Sequence, residues 1–234
     1  MKRIAVISLA LFTATACTSV ESSDIKTSGI YADLWAVSDG EGTSYSEAIL
    51  RVGGATSNTF VTLSEGDDLT ATVAEVTENM TEQNIGEIYS YRADFSTADA
   101  DVDYVIALER TEDESAPSSV MSLPLPFVMD PVGSEYSRDD DDIVLTWDNQ
   151  QSEIMKIWIE GTCIHNQYHD NETDAGIYTI SSDSLEPIDP EANANCEIEI
   201  TLWRSRPGDV DSAYGEGGVA WGYQRRKITT LSTP

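Results

Sequence analysis

Residues 30–37 read Ile30-Tyr31-Ala32-Asp33-Leu34-Trp35-Ala36-Val37, and their alternation decides the fold class. Ile30, Ala32, Leu34 and Ala36 fall on one side of an extended chain; Tyr31, Asp33, Trp35 and Val37 fall on the other. A period of two marks a half-buried β-strand. Residues 39–42 follow as a glycine-containing turn, and 44–52 return as a partner strand. Further strands are expected at 59–63, 69–73, 87–95 and 104–110. Residues 73–85 admit a short helix on Val73, Val76 and Met80 instead, but no long segment carries a 3.6-residue period.

Beyond these strands the chain passes through Leu123-Pro124-Leu125-Pro126 and Pro131. Prolines donate no backbone hydrogen bond, so this stretch suits an edge and a linker. Strands are expected again at 143–147, 154–161, 176–180, 195–203 and 218–228. Many strands without intervening helices point to sandwiches or barrels. The expectation is an all-β protein of two tandem antiparallel β-sandwich domains, residues 29–128 and 129–234. This arrangement resembles the tandem immunoglobulin-like or fibronectin-like modules of bacterial surface lipoproteins. The likeness spans everything after the leader and is architectural, without a specific motif.

The start of the chain has three zones. Lys2 and Arg3 are positive, residues 4–13 are mainly apolar, and Ala14-Thr15-Ala16 are small or polar before Cys17. Residues 1–16 therefore read as a secretory signal peptide. The apolar run is about half of the roughly 20 residues that a spanning helix needs. Ala14-Thr15-Ala16-Cys17 resembles the lipobox of bacterial lipoproteins, departing from it at Ala14, where that family usually has Leu. The resemblance implies a diacylglyceryl group on the Cys17 thiol and cleavage that leaves Cys17 first. Thr18 and Ser19 follow without an Asp, which by the same resemblance implies the outer membrane. Residues 17–28 then read as a lipidated tether.

The chain has 42 acidic and 13 basic residues and a net charge of −29. Losing Lys2 and Arg3 with the leader removes two positive charges and takes it to about −31. Nucleic acid and anionic headgroups are excluded as favourable partners. A hydrophobic content of 40%, with ten Tyr and five Trp, sets the chain apart from disordered acidic proteins.

Candidate chemistry is sparse. Cys163 prolongs the face of Met155, Ile157 and Ile159, and Cys196 prolongs that of Ile198, Ile200 and Leu202. If those strands are antiparallel neighbours, the two cysteines meet, and a Cys163–Cys196 disulfide is expected in an exported protein. His165 and His169 lie in an expected loop with Asp170, Glu172 and Asp174 nearby, a set able to ligate zinc or copper. Asp99, Asp101 and Asp103 begin like a calcium loop, but Tyr104 and Arg110 stand where Gly and Glu are needed. Residues 139–142 and Asp209 with Asp211 are further acidic clusters that read as solvated charge, with calcium at the junction 139–142 as the alternative. Arg225, Arg226 and Lys227 are expected to pair across strands with Glu197 and Glu199. Trp158 and Trp203 are opposite in parity to the core faces, and with Trp221 they form a candidate ligand-binding set.

No nucleophile elbow, phosphate loop or zinc-protease motif is present, and neither catalysis nor a cofactor is expected. The leading expectation is a lipid-anchored cell-envelope binding or scaffolding protein whose partner is an envelope protein or a glycan. The alternatives are metal capture through His165, His169 and Asp170, and carbohydrate binding through Trp158, Trp203 and Trp221.

Overall fold

A computed structural model describes residues 18–86, 88–150, 152–190 and 194–234. The leader and the lipidation expected at Cys17 lie outside the described residues. The described chain is all-β. Its strands are β1 (Thr18–Glu21), β2 (Ile30–Ser38), β3 (Ser44–Val52), β4 (Thr59–Thr62), β5 (Asp68–Val73), β6 (Val76–Asn79), β7 (Thr81–Ile85), β8 (Ile88–Phe95) and β9 (Asp103–Glu109). They continue with β10 (Ala116–Ser122), β11 (Glu135–Ser137), β12 (Ile143–Thr146), β13 (Ile154–Gly161), β14 (Gln167–Thr173), β15 (Ile177–Ile180), β16 (Cys196–Pro207) and β17 (Gly218–Thr233).

One large sheet has the order β1-β4-β3-β2-β17-β16-β13-β14, with β8 also on β3, β7 on β8, and β11 on β17. A four-stranded sheet, β10-β9-β5-β6, and a two-stranded pair, β12-β15, are separate from it. Two apolar cores result. The first joins Ile30, Leu34 and Leu50 of the large sheet to Leu69, Ile106 and Met121 of the four-stranded sheet. The second joins Met155, Ile157, Ile198 and Ile200 to Ile143, Leu145 and Ile180. The face Ile30, Ala32, Leu34, Ala36 is wholly buried, as alternation requires.

The two cores divide between Leu123 and Phe127, yet the large sheet does not stop there. Strand β17 pairs antiparallel with β16 from Pro207↔Trp221 to Cys196↔Ser232 and parallel with β2 from Gly218↔Ala32 to Gln224↔Ser38. The last strand therefore belongs to both halves, and Tyr214 and Ala220 complete the first core. Gly222 permits this seam: a Cβ there would overlap the Ser122 carbonyl, where the end of β10 presses on the sheet.

Three expectations are corrected. Residues 18–28, read as a tether, form β1 and two 3₁₀ turns, with Ser22 and Thr27 buried. What holds them is polar and invisible to hydropathy. Arg110 donates to Thr27 Oγ1 (3.0 Å) and to the carbonyls of Ser22 (2.5 Å) and Ile25 (3.0 Å), while pairing with Asp67 (2.8 Å). Residues 73–85 form β6 and β7 rather than a helix. Ala74 and Glu75 take positive φ (47° and 71°), which closes a two-residue hairpin between β5 and β6. The histidine loop is largely strand β14, because Trp158, Ile157 and Ile159 offer it an edge to pair with.

Candidate functional site

Alternation places one row of side chains on the face of the large sheet opposite the cores. Tyr45 and Glu47 come from β3, Trp35 and Val37 from β2, and Val219, Trp221 and Tyr223 from β17. Trp203 comes from β16, and Lys156 and Trp158 from β13. Together they line a cleft of about 400 Å³, within the roughly 300–1,000 Å³ of small-molecule sites. Aromatic residues suit strands because their flat rings pack across a pleated surface. Trp35 and Trp221 are directly paired across the parallel β2–β17 seam, so the floor crosses from one half to the other.

The rings form a continuous chain. Tyr168 meets Trp158 edge-on at 5.6 Å between centroids, Trp158 meets Trp203 at 5.4 Å, Trp203 meets Tyr223 at 5.4 Å, and Tyr223 stacks on Trp221 at 6.1 Å. Each such pair contributes about 0.5–1.5 kcal/mol beyond simple burial. Trp35, Trp158, Trp203 and Trp221 nonetheless remain only half-buried. A contiguous aromatic surface left open to water is a mark of an interaction site.

Charged groups sit at the margins. The Lys156 ammonium lies 4.8 Å from the Trp221 ring centroid and 5.1 Å from that of Tyr223, whose hydroxyl it donates to at 3.1 Å. Burial pushes its pKa down, against an opposing pull from the charge of Asp170. Burial, and then the Asp170 carboxylate, push the Tyr223 hydroxyl well up, so it stays neutral. Arg225 lies over Trp203 (5.1 Å) and holds Asp39 with two hydrogen bonds of 2.6 and 2.7 Å. Arg92 lies 3.7 Å over the Tyr45 ring. Trp158 Nε1 donates to Asp170 at 3.4 Å, whereas Trp203 Nε1 is buried with no acceptor among the described residues.

The three tryptophans singled out from the sequence, Trp158, Trp203 and Trp221, thus meet in one cleft. Trp35, Tyr45, Tyr223 and Lys156 were missed. Trp35 showed outward parity, but nothing local placed β2 beside β17. The fifth tryptophan, Trp147, belongs to the second core, its Nε1 donating to Asp174 at 2.6 Å.

Cys163 and Cys196 form a disulfide with Cα atoms 5.7 Å apart, Cys163 two residues beyond the end of β13 and Cys196 opening β16, as their parity implied. His169 and Asp170 are successive residues of β14 and point to opposite faces. His169 packs on Tyr178 (5.4 Å) and reaches Gln167 Oε1 at 3.3 Å, Asp170 joins the aromatic face, and His165 is exposed. Asp174 is taken up by a buried ion pair with Arg204. Among the described residues no group of three His, Cys, Asp or Glu side chains is placed to hold a metal ion.

The acidic clusters make local bonds. Asp101 pairs with Arg206 (2.5 Å), Asp141 and Asp142 accept the amides of Ser137 and Ser182, and Asp211 accepts the Ser118 amide and hydroxyl. Asp99 accepts from Thr97, and the Asp209 backbone bridges to Val120. Lys227 pairs with Glu199 at 2.6 Å, the cross-strand contact expected of the basic cluster, while Arg226 turns inward over Phe127 (5.0 Å). In comparison with known proteins, the chain matches no family model and no curated sequence. Its function is therefore argued from this geometry.

Proposed function

We propose that this chain is an exported, lipid-anchored envelope protein of two immunoglobulin-like sandwich units, which binds carbohydrate on its aromatic cleft. The observation that carries this reading is the unbroken row Tyr168, Trp158, Trp203, Tyr223, Trp221 on an open sheet face. The C–H faces of sugar rings stack on indoles, and the polar tips at the margins suit hydroxyls. The disulfide supports export to an oxidising compartment. The lipid on Cys17 would hold the cleft at the outer-membrane surface.

Calorimetry and tryptophan fluorescence on the mature protein with a panel of neutral and acidic oligosaccharides test the reading. Binding should be saturable and at least tenfold weaker in Trp158→Ala and Trp221→Ala, whose folding is checked by near-ultraviolet circular dichroism. Glycan binding that is unchanged in both variants would overturn the assignment to this cleft. If no glycan binds, and the same substitutions abolish an envelope-protein interaction, the face is a scaffolding surface instead.

A further inference from the structure

Resting on the carbohydrate reading, we propose that the ligand is an acidic oligosaccharide, with a uronate-type carboxylate held by Lys156 while its rings lie on the aromatic floor.

The argument starts from ion pairing. The other cations around the cleft each hold a carboxylate: Arg225 holds Asp39, Lys227 holds Glu199 and Arg92 holds Asp94. Lys156 does not. Among the described residues its ammonium makes one hydrogen bond, to the Tyr223 hydroxyl at 3.1 Å, and no ion pair. In a chain with 42 acidic side chains, a half-buried lysine without a carboxylate partner is conspicuous. Asp170, whose charge acts on Lys156, places its Oδ1 on Trp158 Nε1 instead. An ammonium has three donors, so two remain for a ligand carboxylate, which would form charge-assisted bonds beside the ring faces of Trp221 and Tyr223. Such a carboxylate would offset the cost of desolvating the lysine, the same cost that depresses its pKa.

Position supplies the rest. Glu47 lies on β3, and Lys156 lies four strands away on β13. At about 4.8 Å per strand the aromatic floor is about 19 Å long between those strands, but the Lys156 side chain reaches back along it, to the rings of Trp221 and Tyr223 on β17. An anion on that ammonium therefore lies about two strands, roughly 10 Å, from β3, so Glu47 and the nearby Asp170 both oppose it, and the charge-assisted contact with Lys156 is what offsets them. The cleft therefore has an aromatic floor with Glu47 toward one end and Lys156, with Asp170 on the rim beside it, toward the other. It is longer than one sugar ring and suits a short chain lying across the strands. It is the half-buried contact with Lys156 that discriminates acid from ester.

The test uses matched probes on the mature protein: tetragalacturonate and its fully methyl-esterified form, which differ in charge while keeping the sugar backbone. Calorimetry should show the acid binding at least tenfold tighter than the ester. Lys156→Met should bring the acid down to the ester's affinity without weakening the ester, and Lys156→Arg should keep much of the preference. Equal affinity of acid and ester for the wild type would overturn the inference and leave carbohydrate stacking intact. A preference that persists in a folded Lys156→Met would overturn it in the same way. Failure of both probes, together with every other glycan tried, would remove the carbohydrate reading and this inference with it.

Discussion

Arg204 and Asp174 form an ion pair, Nε to Oδ2 at 2.7 Å, in which neither side chain touches solvent. Asp174 also accepts Trp147 Nε1 at 2.6 Å and the Gln150 amide at 2.9 Å. Arg204 donates to the carbonyls of Leu125 (3.0 Å), Pro126 (3.2 Å) and Asp148. A buried pair stabilises only when its remaining donors and acceptors are satisfied. Here they are, and the arginine thereby pins the proline-rich connection between the two cores.

Asp174→Ala leaves that guanidinium buried and uncompensated. It should cost about 3–5 kcal/mol, read from the midpoint of urea unfolding. Replacing both partners with apolar residues, Arg204→Met with Asp174→Leu, should cost less than the two single changes added together. A loss below about 1 kcal/mol in Asp174→Ala would contradict this account of the linker.

The Cys163–Cys196 bridge spans 33 positions. A loop of that length stabilises by about 3.8 kcal/mol in the chain-entropy model. Reduction, or Cys163→Ala with Cys196→Ala, should lower the unfolding free energy by an amount of that order. Thiol titration of denatured, unreduced protein should find neither cysteine reactive.

Acid should weaken the N-terminal attachment first. Burial alone would raise the Asp67 carboxyl. Hydrogen bonds from Thr111 and Ser22 and the charge of Arg110 outweigh it and hold the group below the usual aspartate range. Because the folded value is depressed, its stabilisation is present above the unfolded pKa of about 3.9. It is lost as pH falls from there through the folded value. Asp211, held down by Ala213 and Ser118 against its own burial, adds to the same window. The thermal midpoint should fall steeply below about pH 4, and Asp67→Asn, less stable at pH 7, should show a shallower fall. An identical acid profile in wild type and Asp67→Asn would exclude this cause.

Self-repulsion should be visible in salt. With a net charge of −29 on the chain, unscreened carboxylates destabilise the compact state at low ionic strength. Added sodium chloride should raise the thermal midpoint. A flat response between low and moderate salt would mean that the surface charges are too dispersed to matter.

The proposed membrane attachment would be made through Cys17. Fatty-acid labelling in a bacterial host should mark the wild-type chain and not Cys17→Ser. Equal labelling of both would remove the lipid anchor from the proposed function and leave the cleft untouched.

The strands and their faces were legible because alternation is a local property. Ile30, Ala32, Leu34 and Ala36 had to share a side whatever they packed against, and they are buried. The parity of Cys163 and Cys196 likewise pointed to the bridge that forms, since each prolongs an apolar face at a strand end. Residues 18–28 were misread because they are held by Arg110, Asp67 and Thr27, and hydrogen bonds between distant polar side chains leave no hydrophobic pattern.

The outward tryptophans could be named one at a time, but their convergence could not. It depends on β17 joining β2, nearly the whole chain away, in the register that sets Trp221 against Trp35. Backbone pairing of that kind obeys the same hydrogen-bond geometry for many partner strands, so the local alternation of either strand is silent about it. By itself the sequence determined which side chains lie on which face. Only the tertiary structure decided that four tryptophans, Tyr223 and Lys156 share one cleft, because only the packed cores beneath select the order of the strands.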